Sequence, residues 1–139
     1  MNVRASTAVV TNMVSNGLPT VLVVDDEPQV VWVIEFSLRG EGYETLTAHD
    51  GFEAMDQIER HHPDLMVLDV MMPRMDGWSV LEELEKLPAG ERPRVVMVTA
   101  LASGMDRARA ERLGAAAFVP KPFDMDELVG VLQGLELAS

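Results

Sequence analysis

Four residues, Val21-Leu22-Val23-Val24, form an unbroken apolar run that stops abruptly on Asp25-Asp26, and no other stretch constrains the fold as tightly. A segment apolar at every position has no face to give to water, so it predicts a strand covered on both sides, as in a parallel sheet. Pro28 then suits the first turn of a helix, which continues through Leu38 and stops near Gly40 or Gly42. The same alternation repeats along the chain. Strands are expected at Tyr43 to Ala48, Leu65 to Leu68, Val95 to Val98 and Ala117 to Val119, and helices at Phe52 to Arg60, Trp78 to Leu87, Met105 to Leu113 and Asp124 to Leu137. Strands separated by helices require right-handed crossovers, which predicts an α/β fold: a doubly wound five-stranded parallel sheet in the order 2-1-3-4-5.

Residues 1 to 18 are mixed, rich in Ser, Thr and Asn, and end in Gly17-Leu18, so they are expected to be a flexible extension ahead of a domain at 19–139. The 139 residues suffice for one self-supporting core, and 47% apolar with 24% charged residues is globular composition. A formal charge of -12 argues against direct binding to nucleic acid or to an anionic membrane. With no cysteine, chemistry must rest on oxygen and nitrogen, and a cytoplasmic setting is natural. No apolar run approaches the roughly 20 residues of a membrane helix, and the short Ala8 to Val10 cluster suggests neither anchor nor secretory signal.

A doubly wound sheet holds its ligand beyond the carboxyl ends of its strands. Asp25 and Asp26 end the first strand, Asp69 ends the third, Thr99 ends the fourth, and Lys121 follows the fifth, so all five are expected to converge on one edge. Three neighbouring carboxylates repel, and a divalent cation relieves that repulsion. An all-oxygen site suits Mg2+, with Mn2+ as a substitute, and Mg2+ habitually joins carboxylates to phosphate oxygens. A Lys ammonium and a Thr hydroxyl are the groups that hold the remaining oxygens of a phosphoryl group in transfer. Asp69, central among them, is the candidate nucleophile.

The motifs Val24-Asp25-Asp26-Glu27-Pro28, Leu68 to Gly77 around Asp69, Val98-Thr99-Ala100 and Lys121-Pro122-Phe123 together resemble the response-regulator receivers of two-component signalling. That resemblance covers about Val21 to Leu137. It implies a flavodoxin-like receiver fold and a phosphorylation-controlled switch rather than an enzyme acting on external substrate. Asp69 would be phosphorylated. Asp26 and Asp69 would bind Mg2+ directly, with Asp25 supporting through water and the backbone carbonyl of Met71 completing the protein ligands. Lys121 would pair with the phosphoryl group, Thr99 would move inward to bond it, Phe118 would be the aromatic switch residue, and Lys121-Pro122 would be cis. The implied partners are a histidine kinase or histidine phosphotransfer protein and a downstream protein target, with the receiver a monomer or a phosphorylation-dependent dimer. In such receivers the residues two beyond the phosphorylated Asp and two beyond the switch Thr flank the path of hydrolytic water. Here they are Met71 and Leu101, bulky and apolar, which implies slow self-dephosphorylation.

A helical wheel of the first helix gathers Val30, Val33, Ile34 and Ser37 on the core face and leaves Trp32 and Phe36 outward, beside Glu35 and Arg39. Coverage by the N-terminal extension is one explanation of this outward pair, and scattered exposure is another. The functional explanation is docking, because receivers often present their first helix to the helical bundle of a kinase or phosphotransfer protein. His61 and His62 read as surface residues, the Met residues as core filler or loop contacts, and Asp76-Gly77 as turn chemistry. Two other functions compete. An aspartate-nucleophile phosphatase of the haloacid dehalogenase type wants a second acid where Met71 stands, and needs a cap domain to choose substrates. A degenerate receiver serving only as a binding module would lack part of the acidic set. With no output domain expected after Leu137, the chain acts through partners or is one piece of a longer regulator or hybrid kinase.

Overall fold

The computed structural model describes residues 18–137, so the extension expected at 1 to 18 lies, but for Leu18, outside the described residues. Five parallel strands, β1 (Thr20–Val24), β2 (Glu44–Ala48), β3 (Leu65–Leu68), β4 (Arg94–Thr99) and β5 (Ala117–Pro120), pair in the order β2-β1-β3-β4-β5. The connecting helices are α1 (Pro28–Gly40), α2 (Gly51–His61), α3 (Gly77–Leu84), α4 (Gly104–Arg112) and α5 (Met125–Leu137), with a short 3-10 turn at Ala89–Glu91. The register sets Val24 beside both Ala48 and Leu68, and Leu68 beside Met97, so the carboxyl ends of the central strands lie level. No helix among the described residues is long and apolar enough to cross a membrane.

Side chains alternate across a strand, and the apolar core divides accordingly into two layers. Val21 and Val23 of β1 pack with Val31, Ile34 and Leu38 of α1 and Leu128 and Leu132 of α5. Leu22 and Val24 face the other way, toward Ala54 and Ile58 of α2, Val80, Leu81 and Leu84 of α3, and Ala110 of α4. Burial on both faces is why Val21 to Val24 of β1 and Leu65 to Leu68 of β3 are all apolar.

Two expectations need correction. The helix expected to run to Leu87 ends at Leu84, because Lys86 and Leu87 donate to the carbonyls of Glu83 and Leu84 and tighten the last turn into three-residue steps. In α1 the buried stripe is Val31, Ile34 and Leu38, spaced by three and four, while Val33 is 44% exposed. The wheel placed the stripe too far round because Val33 is as apolar as Val31. What decides between them is the angle at which α1 lies over β1 and β2, and this is a tertiary constraint.

α4 is the exception among the helices. Its cap is strong, with the Ser103 hydroxyl accepting from the Asp106 amide while the Asp106 carboxylate accepts from the Ser103 amide. Its apolar anchorage is weak, since Ala110 is its one buried residue. Two arginines compensate, Arg109 lying 4.4 Å from the centre of the Trp78 ring and Arg107 4.7 Å from that of Phe118.

The α1 assignment is open to a direct comparison by urea denaturation. Ile34→Ala is expected to cost about 2–5 kcal/mol through lost burial and a cavity, whereas Val33→Ala should change stability by less than about 0.5 kcal/mol.

Candidate functional site

Each strand delivers its polar residue as the ladder runs out. The Asp25 amide still donates to the Ala48 carbonyl, the Asp69 amide to that of Val24, and the Lys121 amide to that of Thr99. These bonds fix the backbones, so the side chains just beyond the strands project into one shared cleft. The five residues expected there do meet. Carboxylate oxygens of Asp25, Asp26 and Asp69 lie within 4.8 Å of one another, and Lys121 Nζ donates to Asp25 Oδ2 at 2.7 Å and to Asp69 Oδ2 at 3.2 Å. Asp25, Asp69 and Thr99 are buried, while Asp26 is exposed at the mouth. Lys121-Pro122 is cis, as the sequence resemblance implies.

The remaining hydrogen bonds aim the carboxylates. Asp69 Oδ1 accepts from the Val70 amide at 2.7 Å. Asp25 Oδ1 accepts from the Glu27 amide at 3.0 Å. Thr99 Oγ1 accepts from the Leu101 amide at 3.2 Å, which ties the loop after β4 to the site. Glu27, not singled out from the sequence, brings a fourth carboxylate, with Oε1 3.8 Å from Lys121 Nζ. Phe118 is half-buried against the α2–α3–α4 side of the core, beneath Arg107. Met71 is 59% exposed.

Among the described residues one ammonium faces this group of acids, and the electrostatics follow. Burial pushes the Asp69 carboxyl above its ordinary range, the Asp25 charge adds to that, and the attraction of Lys121 only partly offsets it. For Lys121, burial pushes downward, but the bond to Asp25 and the charges of Asp69 and Asp25 outweigh it and hold the ammonium above its usual value. The cleft therefore keeps the Lys121 cation and, among the described residues, carries surplus negative charge. That surplus, together with a donor set of oxygen atoms only, fits a hard divalent cation such as Mg2+.

Asp50 and Arg74 were also missed. Asp50 Oδ1 accepts from the Glu53 amide and caps α2, while Oδ2 accepts from Arg74 Nε at 2.9 Å and from Arg74 Nη2. The available signal was Asp-Gly ahead of an amphipathic run, a helix start, but nothing local foretold its partner 24 residues away. Asp76-Gly77 does more than turn. Asp76 caps α3, and a Cβ at Gly77 would collide with the carbonyl oxygen of Asp69.

Comparison with known proteins agrees with this geometry. The family described as "Response regulator receiver domain" matches residues 21–133. A protein named "Probable transcriptional regulator ycf27" from Cyanophora paradoxa is 44% identical over 115 residues, which is 83% of this chain and 47% of the relative. Its namesake in Porphyridium aerugineum is 42% identical over 108 residues, 78% of this chain and 44% of the relative. The chain thus spans about half the length of the curated relatives it matches. Among solved structures, the CheY-like receiver domain protein of Methanospirillum hungatei JF-1 superposes with a TM-score of 0.78 at 30% identity, covering 84% of this chain and 92% of that one. The receiver domain of sensor histidine kinase PA1611 from Pseudomonas aeruginosa PAO1, described with a magnesium ion coordinated in its active-site cleft, superposes at 0.75 with 33% identity, covering 84% and 95%.

A pH dependence follows from the raised pKa of Asp69. Such a group imposes no penalty on the folded state below the ordinary carboxylate pKa, and the penalty appears as pH rises through the raised value. In chelator-treated buffer, Asp69→Asn is therefore expected to raise Tm by a few degrees at about pH 7, with the gain disappearing near pH 3. Thermal melts at the two pH values check this, and a lower Tm at neutral pH would show that Lys121, not burial, dominates.

Proposed function

The chain belongs to the response regulator receiver domain family, and on that footing we propose that it is a phosphorylation-dependent switch that accepts a phosphoryl group on Asp69 from a histidine kinase or histidine phosphotransfer protein. The observation that carries the reading is the closure of three carboxylates to within 4.8 Å around a cleft in which the Lys121 ammonium bridges Asp25 and Asp69.

Asp26 and Asp69 would hold Mg2+ directly, Asp25 would support it, and the Met71 carbonyl would complete the protein ligands. When bound, the cation neutralises charge on the phosphoryl oxygens. Asp69 supplies the nucleophile: a carboxylate oxygen forms a bond to phosphorus as the donor's bond breaks, and that electron pair leaves with the donor. The carboxylate is already stripped of most of its water and aimed by the Val70 amide. Lys121, now bonded to Asp25 and Asp69, is within reach of the incoming phosphoryl oxygens. Thr99 is already buried at the same strand edge, and its hydroxyl would bond a phosphoryl oxygen.

The output surface in this reading is α4 with β5 and α5. Phe118 meets α4 through its contact with Arg107, so a change at Thr99 that moved the ring would disturb a thinly anchored helix. The input surface is α1, where Trp32 and Phe36 are 62% and 68% exposed and stack with ring centres 5.4 Å apart. A rigid, outward aromatic pair is the kind of anchor that interfaces concentrate their energy on. The phosphatase alternative is disfavoured by Met71, which occupies the position of its second acid and offers no carboxylate.

Incubation with acetyl phosphate and Mg2+ is expected to add about 80 Da by mass spectrometry, with no adduct on Asp69→Asn or after chelation. The adduct should outlast seconds, and polar replacement of both Met71 and Leu101 should shorten its life. Trp32→Ala combined with Phe36→Ala is expected to slow transfer from a histidine kinase about tenfold or more while leaving acetyl phosphate labelling unchanged. Equal rates from the kinase would remove α1 as the docking face.

A further inference from the structure

The loop from Val70 to Asp76 joins Asp69 to α3 and contains Met71. Its ends are fixed by the sheet edge, where the Val70 amide donates to Asp69 Oδ1 and the Gly77 amide donates to the Val70 carbonyl at 2.8 Å. Its middle is fixed from outside, by the start of α2. The Gly51 amide donates to the Met75 carbonyl at 3.0 Å, and a Cβ at Gly51 would lie 2.7 Å from that oxygen, so the two backbones touch.

Arg74 completes the attachment. Its φ of +67° is a left-handed conformation that costs a side-chain-bearing residue about 1–2 kcal/mol, and it persists because the surroundings over-determine it. Two guanidinium donors reach one oxygen of Asp50, which is 5% exposed, and the guanidinium lies 5.6 Å from the centre of the Phe52 ring. The Glu53 amide, and then Arg74, hold the Asp50 carboxyl below its ordinary range, so it remains a charged acceptor. Arg74 is itself largely exposed, so the attraction between net charges is weak. The fixed geometry of two donors on a buried carboxylate is what restrains the loop.

Between Arg74 and Met71 lie only Pro73, whose ring fixes φ and restricts the residue before it, and Met72, which is buried. A short, stiff connection transmits position. We propose that the Asp50–Arg74 pair is a positioning device for the Met71 carbonyl, setting the affinity of the carboxylate cluster for a divalent cation although neither residue belongs to that cluster. The inference rests on the reading of the cluster as a Mg2+ site, and outer partners of metal ligands typically tune affinity in this way.

The test is Mg2+ titration by calorimetry on the full chain, with thermal melts alongside. Arg74→Gly is the informative variant, because glycine accepts the left-handed φ without strain while removing the guanidinium. It should keep the parent Tm within a few degrees yet raise the Mg2+ Kd about tenfold. Asp50→Asn should weaken binding similarly, and the double variant should be no weaker than either single one, as expected for one shared device. With acetyl phosphate, the Mg2+ concentration for half-maximal labelling should rise with Kd, while the rate at saturating Mg2+ stays within about twofold of the parent. Parent-like Kd values in both single variants would overturn the proposal. Absence of Mg2+ binding in the parent would instead overturn the reading of the cluster itself.

Discussion

Mutual repulsion among carboxylates is the constraint on which this structure turns. Asp25 and Asp26 at the end of β1 and Asp69 at the end of β3 are brought to within 4.8 Å, with Glu27 close by and Lys121 as their only cationic contact among the described residues. Left to themselves these groups would spread apart or take up protons. They are held together by the sheet ladder, whose amides continue one residue past β1 and β3 and leave the side chains no freedom to retreat. The cost is offset by the two apolar layers behind the edge, where Val21 to Val24 and Leu65 to Leu68 are buried. Stability resides in the body of the sheet, and strained chemistry resides at its rim.

Because the ladder is rigid, the adjustable parts of the site belong to loops and side chains. Thr99 is tied to Leu101, the segment after Asp69 is tied to the start of α2, and Lys121 spans the two buried acids. The first tie reaches the loop after β4, the second the start of α2, and the third stays within the cleft.

Much of this was legible in the sequence because it depends on local signals. A run such as Val21 to Val24 has one physical solution, and once the strands are set, topology alone sends Asp25, Asp26, Asp69, Thr99 and Lys121 to the same edge. The joint occurrence of the motifs then identified the family without any contact being known. What was not legible depends on the relative placement of elements. Val31 and Val33 are chemically identical, and only the seat of α1 on the sheet buries one and exposes the other. Asp50 announces itself as a cap, but its bond to Arg74 requires α2 and the loop after β3 to be neighbours, which one-dimensional spacing does not encode. The exposure of Trp32 and Phe36 was anticipated because an outward aromatic is visible on a wheel even when the inward face is misjudged by most of a quadrant.

The manner in which α4 is attached carries a thermodynamic consequence. A helix seated by large aliphatic side chains leaves its bed only by opening a cavity, and the energy rises steeply with the first ångström. α4 has Ala110 below it and arginines laid over Trp78 and Phe118, contacts whose energy varies gently as a cation slides across a ring. Its well is shallow and broad, and amide protons in this helix should exchange through small local openings while those of β1 and β3 wait for global unfolding. The domain thus combines a stiff frame with one compliant element.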